Sequence, residues 1–290
     1  LRNRDYFPNN SIDLIYLDPP FSSNRDYNIL YKGVSGKWSE AQIRAFSDTW
    51  HWGKVTEDTF QDIKLNAPLK VSKLIETMVE GIGQDNDVMA YLVMMTPRLL
   101  EIHRVLKDTG SLHLHCDPTA SHYLKLVLDQ VFGPTKFRNE ITWCHWGGGQ
   151  SKRYYPRKHD TIFFYTKGNR WTFNADAVRV PYDSGYEATV FRRSDSRAPG
   201  KVYRPNPLGK IPEASARQTG LYGKEVLKYP TQKPLALLER TIKAGSNEGD
   251  IVLDPFCGCG TALVAAQKLN RRWIGIDITY LAIEVMSKRL

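Results

Sequence analysis

The sequence predicts an α/β fold in which a largely parallel sheet is interrupted by a basic insertion. Short, nearly continuous apolar runs, typical of strands buried on both faces of a sheet, alternate with segments whose apolar residues recur at helical spacing. This alternation stops near residue 136 and resumes near residue 229. The stretch between is irregular and rich in Gly, Pro and aromatic residues. We therefore expect one sheet built from both ends of the chain.

The first part of the chain predicts two strands and two helices. Ile12–Leu17 is an apolar run that ends in Asp-Pro-Pro-Phe, as a buried strand followed by a turn would. Asp87–Leu106 has apolar residues at helical spacing, and Asp108-Thr109-Gly110 closes this helix. Ser111–Cys116 alternates leucine with histidine, which indicates a strand, and Thr119–Val131 returns to helical periodicity.

The remaining elements follow in the second half of the chain. Thr161–Thr166 is the clearest strand of the irregular stretch. Near the C-terminus the pattern predicts a helix, a strand, a helix, a strand and a helix, at Pro234–Ala244, Ile251–Asp254, Thr261–Leu269, Trp273–Asp277 and Tyr280–Arg289. We therefore predict a catalytic domain formed by residues 1–135 and 229–290, with residues 136–228 inserted into it.

Length and composition exclude several classes of protein. The chain has 290 residues, 41% of them hydrophobic, and a mean hydropathy of −0.44, which is typical of a globular protein. No apolar run approaches the roughly 18 residues that a membrane span needs, and no secretory signal is visible. Four isolated cysteines form no disulfide framework, so we expect a cytoplasmic protein. Because the chain begins with Leu1, we also expect further sequence before it.

The net charge points to a polyanionic partner. The chain holds 40 Lys and Arg against 31 Asp and Glu, a formal charge of +9. Residues 150–228 carry 16 basic and 7 acidic residues, a surplus of nine that equals the whole net charge, together with one Trp and seven Tyr. Such a stretch offers both phosphate contacts and stacking on bases, although a generic basic surface is the alternative.

A glycine-rich turn predicts a binding site for a nucleoside. Ile251–Thr261 reads as a strand and a turn with two glycines, then a helix follows, and Asp277 ends the next strand. Asp277 lies 19 residues after Gly258, close to the roughly 20 expected for an acid that binds ribose hydroxyls. The third glycine of the dinucleotide motif is missing, so a nucleoside without phosphates fits better. The alternative is a turn with a structural role only.

The cysteines of this turn could suggest a metal site. Cys257 and Cys259 flank Gly258, but a structural zinc site needs four ligands with paired spacing. Cys116 and Cys144 are isolated from each other and from this pair. We therefore expect no metal, and we expect the two thiols to pack as small residues in a tight turn.

The second chemical motif is Asp18-Pro19-Pro20-Phe21, at the end of the first strand. Each proline fixes its own φ and restricts the residue before it, so Asp18 is held in a rigid extended turn. The amino group of a nucleobase is a poor nucleophile until its hydrogens are bound. The Asp18 carboxylate and the Pro19 carbonyl could each accept one N–H, while Phe21 stacks on the base. An ordinary turn capped by Asp is the alternative.

His113 and His115 alternate with leucine on one predicted strand and share one face. Metal binding or base catalysis is one interpretation of such a pair. We favour the other, which is a strand edge near the site.

Taken together, the motifs resemble those of the amino-methyltransferases that act on DNA. These share Asp/Asn/Ser-Pro-Pro-Tyr/Phe and Phe-x-Gly-x-Gly, which match Asp18–Phe21 and Phe256–Gly260. A third family element, Pro-Thr-Gln-Lys-Pro, is present as Pro230–Pro234. The catalytic motif precedes the variable region and the cofactor motif, which is the order of the β group. The resemblance implies a Rossmann-like methyltransferase sheet with circularly permuted motifs, and a target-recognition role for the insertion.

The resemblance also implies the cofactor and its binding residues. The cofactor would be S-adenosylmethionine, bound by Asp254, Pro255, Phe256, Cys257, Gly258, Gly260 and Thr261, with Asp277 at the ribose and Thr231, Gln232 and Lys233 at the methionine end. The catalytic residues would be Asp18, Pro19, Pro20 and Phe21. The family usually has a further acidic motif upstream of the catalytic strand, and the resemblance leads us to expect it before the point where this chain begins.

The implied activity is methyl transfer to an amino group of a base flipped out of double-stranded DNA. Asp in the first position of the motif favours adenine N6 over cytosine N4. Alternatives are a methyltransferase acting on RNA or protein amides, and an inactive DNA-binding module. A homodimer, a cognate restriction endonuclease and an association with the nucleoid of a prokaryote or phage host are compatible with the resemblance.

Overall fold

The computed structural model describes residues 1–20, 50–144, 153, 155, 158–180, 227 and 232–290. In this part of the chain the strands are β1 (Ile12–Leu17), β2 (Leu106–Cys116), β3 (Phe137–Cys144), β4 (His159–Thr166), β5 (Ile251–Asp254) and β6 (Arg272–Gly275). The helices are α1 (Lys54–Asn66), α2 (Leu69–Ile82), α3 (Asp87–Val105), α4 (Pro118–Phe132), α5 (Ala175–Val178), α6 (Leu235–Gly245), α7 (Thr261–Lys268) and α8 (Tyr280–Ser287), with a short 3-10 turn at Pro134–Lys136.

The six strands form one sheet in the order β3-β4-β2-β1-β5-β6. β1 pairs in parallel with β2 on one side and with β5 on the other, and β6 is parallel to β5. β4 and β3 add an antiparallel hairpin beyond β2. After β1 the chain moves to β2, and after β5 it moves the opposite way to β6. Ligands bind in the crevice at such a switch point, outside the carboxyl ends of the strands.

Helices cover both faces of the sheet, which explains the apolar runs. On β1, Ile15 and Leu17 point to one face and pack against a core shared with helices α1 to α4. Leu14 and Tyr16 point to the other face, where α6 and α7 close a second core. The period of two along a strand thus puts alternate residues into two apolar layers.

The boundary between α3 and β2 differs from the prediction. The helix ends at Val105 and the strand begins at once with Leu106, so Asp108-Thr109-Gly110 lies within β2 rather than closing the helix. The pairing with β1 is irregular here, and a Cβ on Gly110 would lie 2.8 Å from the backbone oxygen of Asp13. The glycine therefore lets the two backbones approach closely at this irregularity.

Helices α1 and α2 occupy a segment for which no helix or strand was predicted from the sequence. The signal for α2 is present, since Val71, Ile75, Met78 and Val79 recur at helical spacing and are buried. Proline and glycine bound this helix, at Pro68 and Gly83.

The predicted insertion, which begins at residue 136, contains two strands of the sheet. β3 and β4 both lie beyond that residue, and β4 pairs with β2 from Thr161 to Thr166 and with β3 on its other side. Antiparallel pairing satisfies the backbone of both strands, and this favours their place in the sheet. Most of the basic stretch lies outside the described residues, so its role stays a prediction. No helix in the described ranges is long and apolar enough to cross a membrane.

Candidate active site

Asp18, Pro19 and Pro20 follow directly on β1, at the carboxyl edge of the sheet. The Asp18 side chain is 14% exposed, so it opens onto the crevice from a largely buried position. The two prolines restrict the turn, as expected from the sequence. Phe21 lies outside the described residues, and its stacking role stays a prediction.

Asp254 ends the neighbouring strand β5 and is buried. Its carboxylate accepts a hydrogen bond from the backbone N–H of Phe256 at 3.1 Å. Burial raises the pKa of Asp254 to about 8, and the negative charges of Asp18 and Asp277 act in the same direction. The carboxyl ends of β1 and β5 therefore bring Asp18 and Asp254 into one crevice. Asp254 is the acid whose ionisation costs free energy.

The glycine-rich turn and Asp277 are held together by hydrogen bonds. The backbone N–H of Gly258 donates to Asp277 Oδ2 at 2.9 Å. Asp277 Oδ1 accepts from both the backbone N–H and the hydroxyl of Thr279, each at 2.8 Å. Gly258 and Gly260 have φ of 48° and 77°, and a Cβ on Gly260 would lie 2.7 Å from Met286 Cγ. Both glycines are therefore required by the turn itself.

The two cysteines of the turn pack inside the protein. Cys257 Sγ lies 3.7 Å from Met286 Sδ, and Cys259 Sγ lies 3.5 Å from the Thr261 hydroxyl. Burial raises the pKa of both thiols, which keeps them protonated at neutral pH. The guanidinium of Arg289, just beyond α8, donates to the Cys259 carbonyl at 2.7 Å and ties the end of the chain to the turn.

Lys233 lies beside Asp18 in the structure. Its Nζ donates to Asp18 Oδ1 at 3.0 Å and to Oδ2 at 2.7 Å, and the Lys233 side chain is 11% exposed. The neighbouring Gln232 lies shortly before α6, and its side-chain oxygen accepts a hydrogen bond from the backbone N–H of Leu227 at 2.9 Å. Thr231 lies outside the described residues. The Pro-Thr-Gln-Lys-Pro motif is thus joined to the Asp-Pro-Pro motif by an ion pair that the sequence reasoning missed.

The predicted residues of both motifs line one small pocket of about 50 Å³. From the predicted set it includes Asp18, Gln232, Lys233, Asp254, Phe256, Cys257, Gly258 and Thr261. Sequence reasoning missed Tyr16, Leu238, Cys259 and Ala262, which also line it. The signal for Tyr16 is its position two residues before Asp18, on the same face of β1. Pro255 and Phe256 line a second cavity, of about 660 Å³, which is bounded by α1, α3 and Ile276.

The charges of the crevice fit a cationic nucleoside. Among the described residues that line the small pocket, Asp18 and Asp254 are acids and Lys233 is the one basic residue. Asp277 is not part of this lining, but its charge helps to raise the pKa of Asp254. A cation would relieve the repulsion that helps to raise the pKa of Asp254. S-adenosylmethionine carries a sulfonium and an ammonium group, so the carboxylates of the crevice match its positive charges. A Rossmann-like sheet with this turn and an Asp-Pro-Pro motif defines a methyltransferase.

Comparison with known proteins identifies the family. The family model N6_N4_Mtase, described as DNA methylase, matches residues 12–288, and the chain belongs to this family. It is therefore an S-adenosylmethionine-dependent DNA methyltransferase of the N6/N4 type, as the motifs implied.

Individual relatives agree with this assignment. Type II methyltransferase M.HpaI of Haemophilus parainfluenzae is 32% identical over 282 residues, which cover 97% of this chain and 68% of that protein. DNA adenine methyltransferase YhdJ of Escherichia coli K12 is 28% identical over 241 residues, covering 82% and 78%. Among solved structures, the cytosine-N4-specific PvuII DNA methyltransferase matches with a TM-score of 0.51 at 14% identity, covering 99% of this chain and 82% of that one. This last similarity confirms the α/β methyltransferase fold.

Proposed function

We propose that the chain methylates the exocyclic N6 of adenine in double-stranded DNA. The observation that carries this proposal is the position of Asp18 and Pro19 at the end of β1. They lie directly beside the acidic crevice at the carboxyl end of the neighbouring strand β5. An aspartate in the first position of the motif supports adenine. The similarity to YhdJ, which is named as a DNA adenine methyltransferase, supports it as well.

The chemistry of the target requires two hydrogen-bond acceptors. The lone pair of an exocyclic amine is delocalised into the base, which makes the nitrogen a weak nucleophile. Asp18 and the Pro19 carbonyl each accept one N–H of the amine, which directs the lone pair out of the ring system. Phe21 stacks on the flipped base. No covalent link between enzyme and base is needed.

Lys233 holds the Asp18 carboxylate in place for this step. Each carboxylate oxygen can accept more than one hydrogen bond, so contact with Lys233 leaves Asp18 able to accept an N–H as well. The short bidentate contact fixes the direction of the carboxylate, and correct placement of reacting groups contributes much of the rate of such a reaction. Lys233 and Gln232 also face the methionine end of the cofactor in this proposal.

The remaining motif residues hold the cofactor. When bound, S-adenosylmethionine supplies an electrophilic methyl group on sulfur. Asp277 binds the ribose hydroxyls, since the turn already fixes its carboxylate. Asp254, Pro255, Phe256, Cys257, Gly258, Gly260 and Thr261 surround the ligand, with Thr231 beside the methionine end.

The basic stretch at residues 150–228 recognises the DNA sequence in this proposal. Its surplus of nine positive charges supports contact with phosphates, and its aromatic residues support contact with bases. Several relatives are named type II methyltransferases, which supports a cognate restriction endonuclease as a partner.

The product identifies the reaction. The enzyme is incubated with methyl-labelled cofactor and, in separate reactions, with duplex DNA, RNA and protein, and the DNA is then digested to nucleosides. We expect label in duplex DNA, and we expect N6-methyladenine as the labelled nucleoside. N4-methylcytosine alone would establish the cytosine alternative, and label in RNA or protein alone would overturn the DNA substrate.

A further inference from the structure

A buried chain of hydrogen bonds crosses three strands next to the site. The hydroxyl of Tyr16 on β1 lies 2.8 Å from Nδ1 of His115 on β2. The other ring nitrogen of His115, Nε2, lies 3.1 Å from Asp160 Oδ2 on β4. Tyr16 and His115 are almost completely buried, whereas the Asp160 side chain is 20% exposed. The mechanism described above uses none of these three residues.

The neutral state of His115 and the carboxylate of Asp160 determine which group donates in each of these hydrogen bonds. Burial lowers the pKa of His115, and the nearby charge of Lys233 lowers it further, so the imidazole is neutral and has one N–H. A carboxylate only accepts, so that N–H is on Nε2 and donates to Asp160. Nδ1 is then an acceptor and takes the hydroxyl proton of Tyr16. The Tyr16 oxygen can therefore only accept from any further group.

This oxygen lies at the acidic end of the site. Tyr16 lines the small pocket together with Asp18, Lys233 and Asp254. Burial raises the pKa of Tyr16 well above its usual value, and the charges of Asp18 and Asp254 raise it further, so the hydroxyl stays protonated close to both acids. A neutral acceptor beside two carboxylates suits a cationic hydrogen-bond donor.

Of the two cationic groups of the cofactor, only the ammonium carries N–H donors. The sulfonium has none, so an oriented acceptor matches the ammonium at the methionine end. A tyrosine whose only task was to fill this layer would need neither His115 nor Asp160, because phenylalanine packs there without a buried polar partner. The hydrogen bonds from Tyr16 to His115 and from His115 to Asp160 are explained if the Tyr16 hydroxyl oxygen must be held in one orientation.

We propose that Tyr16 is a further cofactor-binding residue, whose hydroxyl oxygen accepts a hydrogen bond from the ammonium group of the cofactor, and that Asp160 and His115 position it. This inference rests on the cofactor site proposed above. Tyr16 contacts the ligand, while His115 and Asp160 act through Tyr16.

The test measures equilibrium binding of three ligands by calorimetry, with no DNA present. The ligands are S-adenosylmethionine, S-adenosylhomocysteine, which keeps the ammonium but lacks the sulfonium charge, and methylthioadenosine, which lacks the whole amino-acid end. We expect Tyr16→Phe to weaken the first two by roughly tenfold or more, as for loss of one hydrogen bond to a charged group. Binding of methylthioadenosine should be unchanged, which also shows that the variant is folded.

Tyr165→Phe is the matched control. Tyr165 is also buried, and its hydroxyl donates to Asp129 at 2.7 Å, away from the pocket. The same chemical change there should leave all three affinities as in the wild type.

The positioning role is tested at Asp160. In Asp160→Ala the imidazole can place its proton on Nδ1 and turn the Tyr16 hydroxyl into a donor, so we expect an intermediate loss for the two ligands with an ammonium. Asp160→Asn keeps a carbonyl that accepts from Nε2 and should restore most of the affinity.

Each other outcome is decisive. Equal losses for all three ligands in Tyr16→Phe, or no loss at all, would overturn the assignment of Tyr16. A loss for S-adenosylmethionine alone would overturn the contact with the ammonium. An Asp160→Ala variant with wild-type affinities would overturn the positioning role. If the wild type bound none of the three ligands, the cofactor site itself would be misplaced, which is a separate failure.

Discussion

Asp254 makes cofactor binding depend on pH. Its pKa is about 8 because of burial and the charges of Asp18 and Asp277, and a cationic ligand favours its ionised form. We expect the dissociation constant of S-adenosylmethionine to fall by up to about tenfold per pH unit as the pH rises towards 8, and to level off above it. Titration calorimetry between pH 6 and 9 measures this. An affinity that is independent of pH over this range would contradict the role of Asp254.

The same residue affects stability with a defined sign. The folded-state pKa of Asp254 lies above its ordinary value of 3.8, so the folded chain keeps a proton that the unfolded chain loses. This contribution therefore reduces the stability of the ligand-free protein progressively as the pH rises from about 4 to about 8. Asp254→Asn removes this penalty. The melting temperature of the variant minus that of the wild type should therefore increase as the pH rises from about 4 to about 8. Asp129→Asn, a change of the same kind outside the site, serves as the control.

Part of the site could be predicted from single residues. Asp18 and Asp277 were predicted because each lies at the end of a predicted strand, where the edge of a parallel sheet gathers functional groups. Asp254 was implied by the resemblance to the DNA amino-methyltransferases. The ion pair between Lys233 and Asp18 could not be predicted, since 215 positions separate the partners and no local pattern brings them together. The contact of Tyr16 with His115 was missed for the same reason.

Arg289, just beyond α8, supports the cofactor turn from outside the site. Arg289 donates to the carbonyl of Cys259 at 2.7 Å and lies 3.3 Å from the Thr261 hydroxyl, and this links the end of the chain to the start of α7. We expect Arg289→Met to weaken cofactor binding by roughly tenfold, since the turn loses a charge-assisted hydrogen bond. Lys288→Met is the control, because Lys288 is exposed and pairs only with Glu284 among the contacts described here. Equal affinities for both variants would show that Arg289 has no such role.

Elements with a strong period were predicted well, and those set by distant pairing were not. β1, β5 and α4 have clear patterns and lie where the sequence places them. Asp108-Thr109-Gly110 was assigned to a helix end because Asp-Thr-Gly usually closes a helix, but in the structure it lies within β2, at the irregularity in the pairing with β1. β3 alternates only weakly, as an edge strand does, and its place became visible only through its pairing with β4.

At the scale of the whole molecule, the charge distribution separates DNA binding from cofactor binding. We expect replacement of Arg192, Arg193 and Lys201 by glutamine to weaken DNA affinity. The slope of the logarithm of the DNA binding constant against the logarithm of the salt concentration should become shallower by up to about 0.9 for each phosphate contact removed. The dissociation constant of the cofactor should not change. Both are measured by fluorescence anisotropy and calorimetry over a salt series.

A matched triple variant controls for the loss of charge alone. Lys54, Lys70 and Lys73 are exposed on α1 and α2, on the opposite side of the sheet from α6 and α7. Their replacement by glutamine should affect DNA binding less than the change in the basic stretch. An equal effect of both triple variants would mean that DNA contact is not confined to residues 150–228.

The sequence predicted only part of how the chain is divided between the sheet and the insertion. The sheet is assembled from both ends, as the alternating pattern indicated, and the family assignment confirms the methyltransferase fold. The boundary at residue 136 stays a prediction. β3 and β4 lie beyond it and are rich in aromatic residues, yet they pair with each other, and β4 pairs with β2. The order of the strands depends on long-range pairing, which only the structure supplies.

The central claim is that Asp18 activates the target amine, and substitution of this residue tests it most directly. Methyl transfer to duplex DNA and equilibrium binding of S-adenosylmethionine are measured side by side for the wild type, Asp18→Asn and Asp18→Ala. We expect Asp18→Ala to lose transfer by a factor of roughly 10³ or more while it still binds the cofactor, and Asp18→Asn, which keeps one carbonyl acceptor, to retain part of the activity. Full activity in Asp18→Ala would contradict the account.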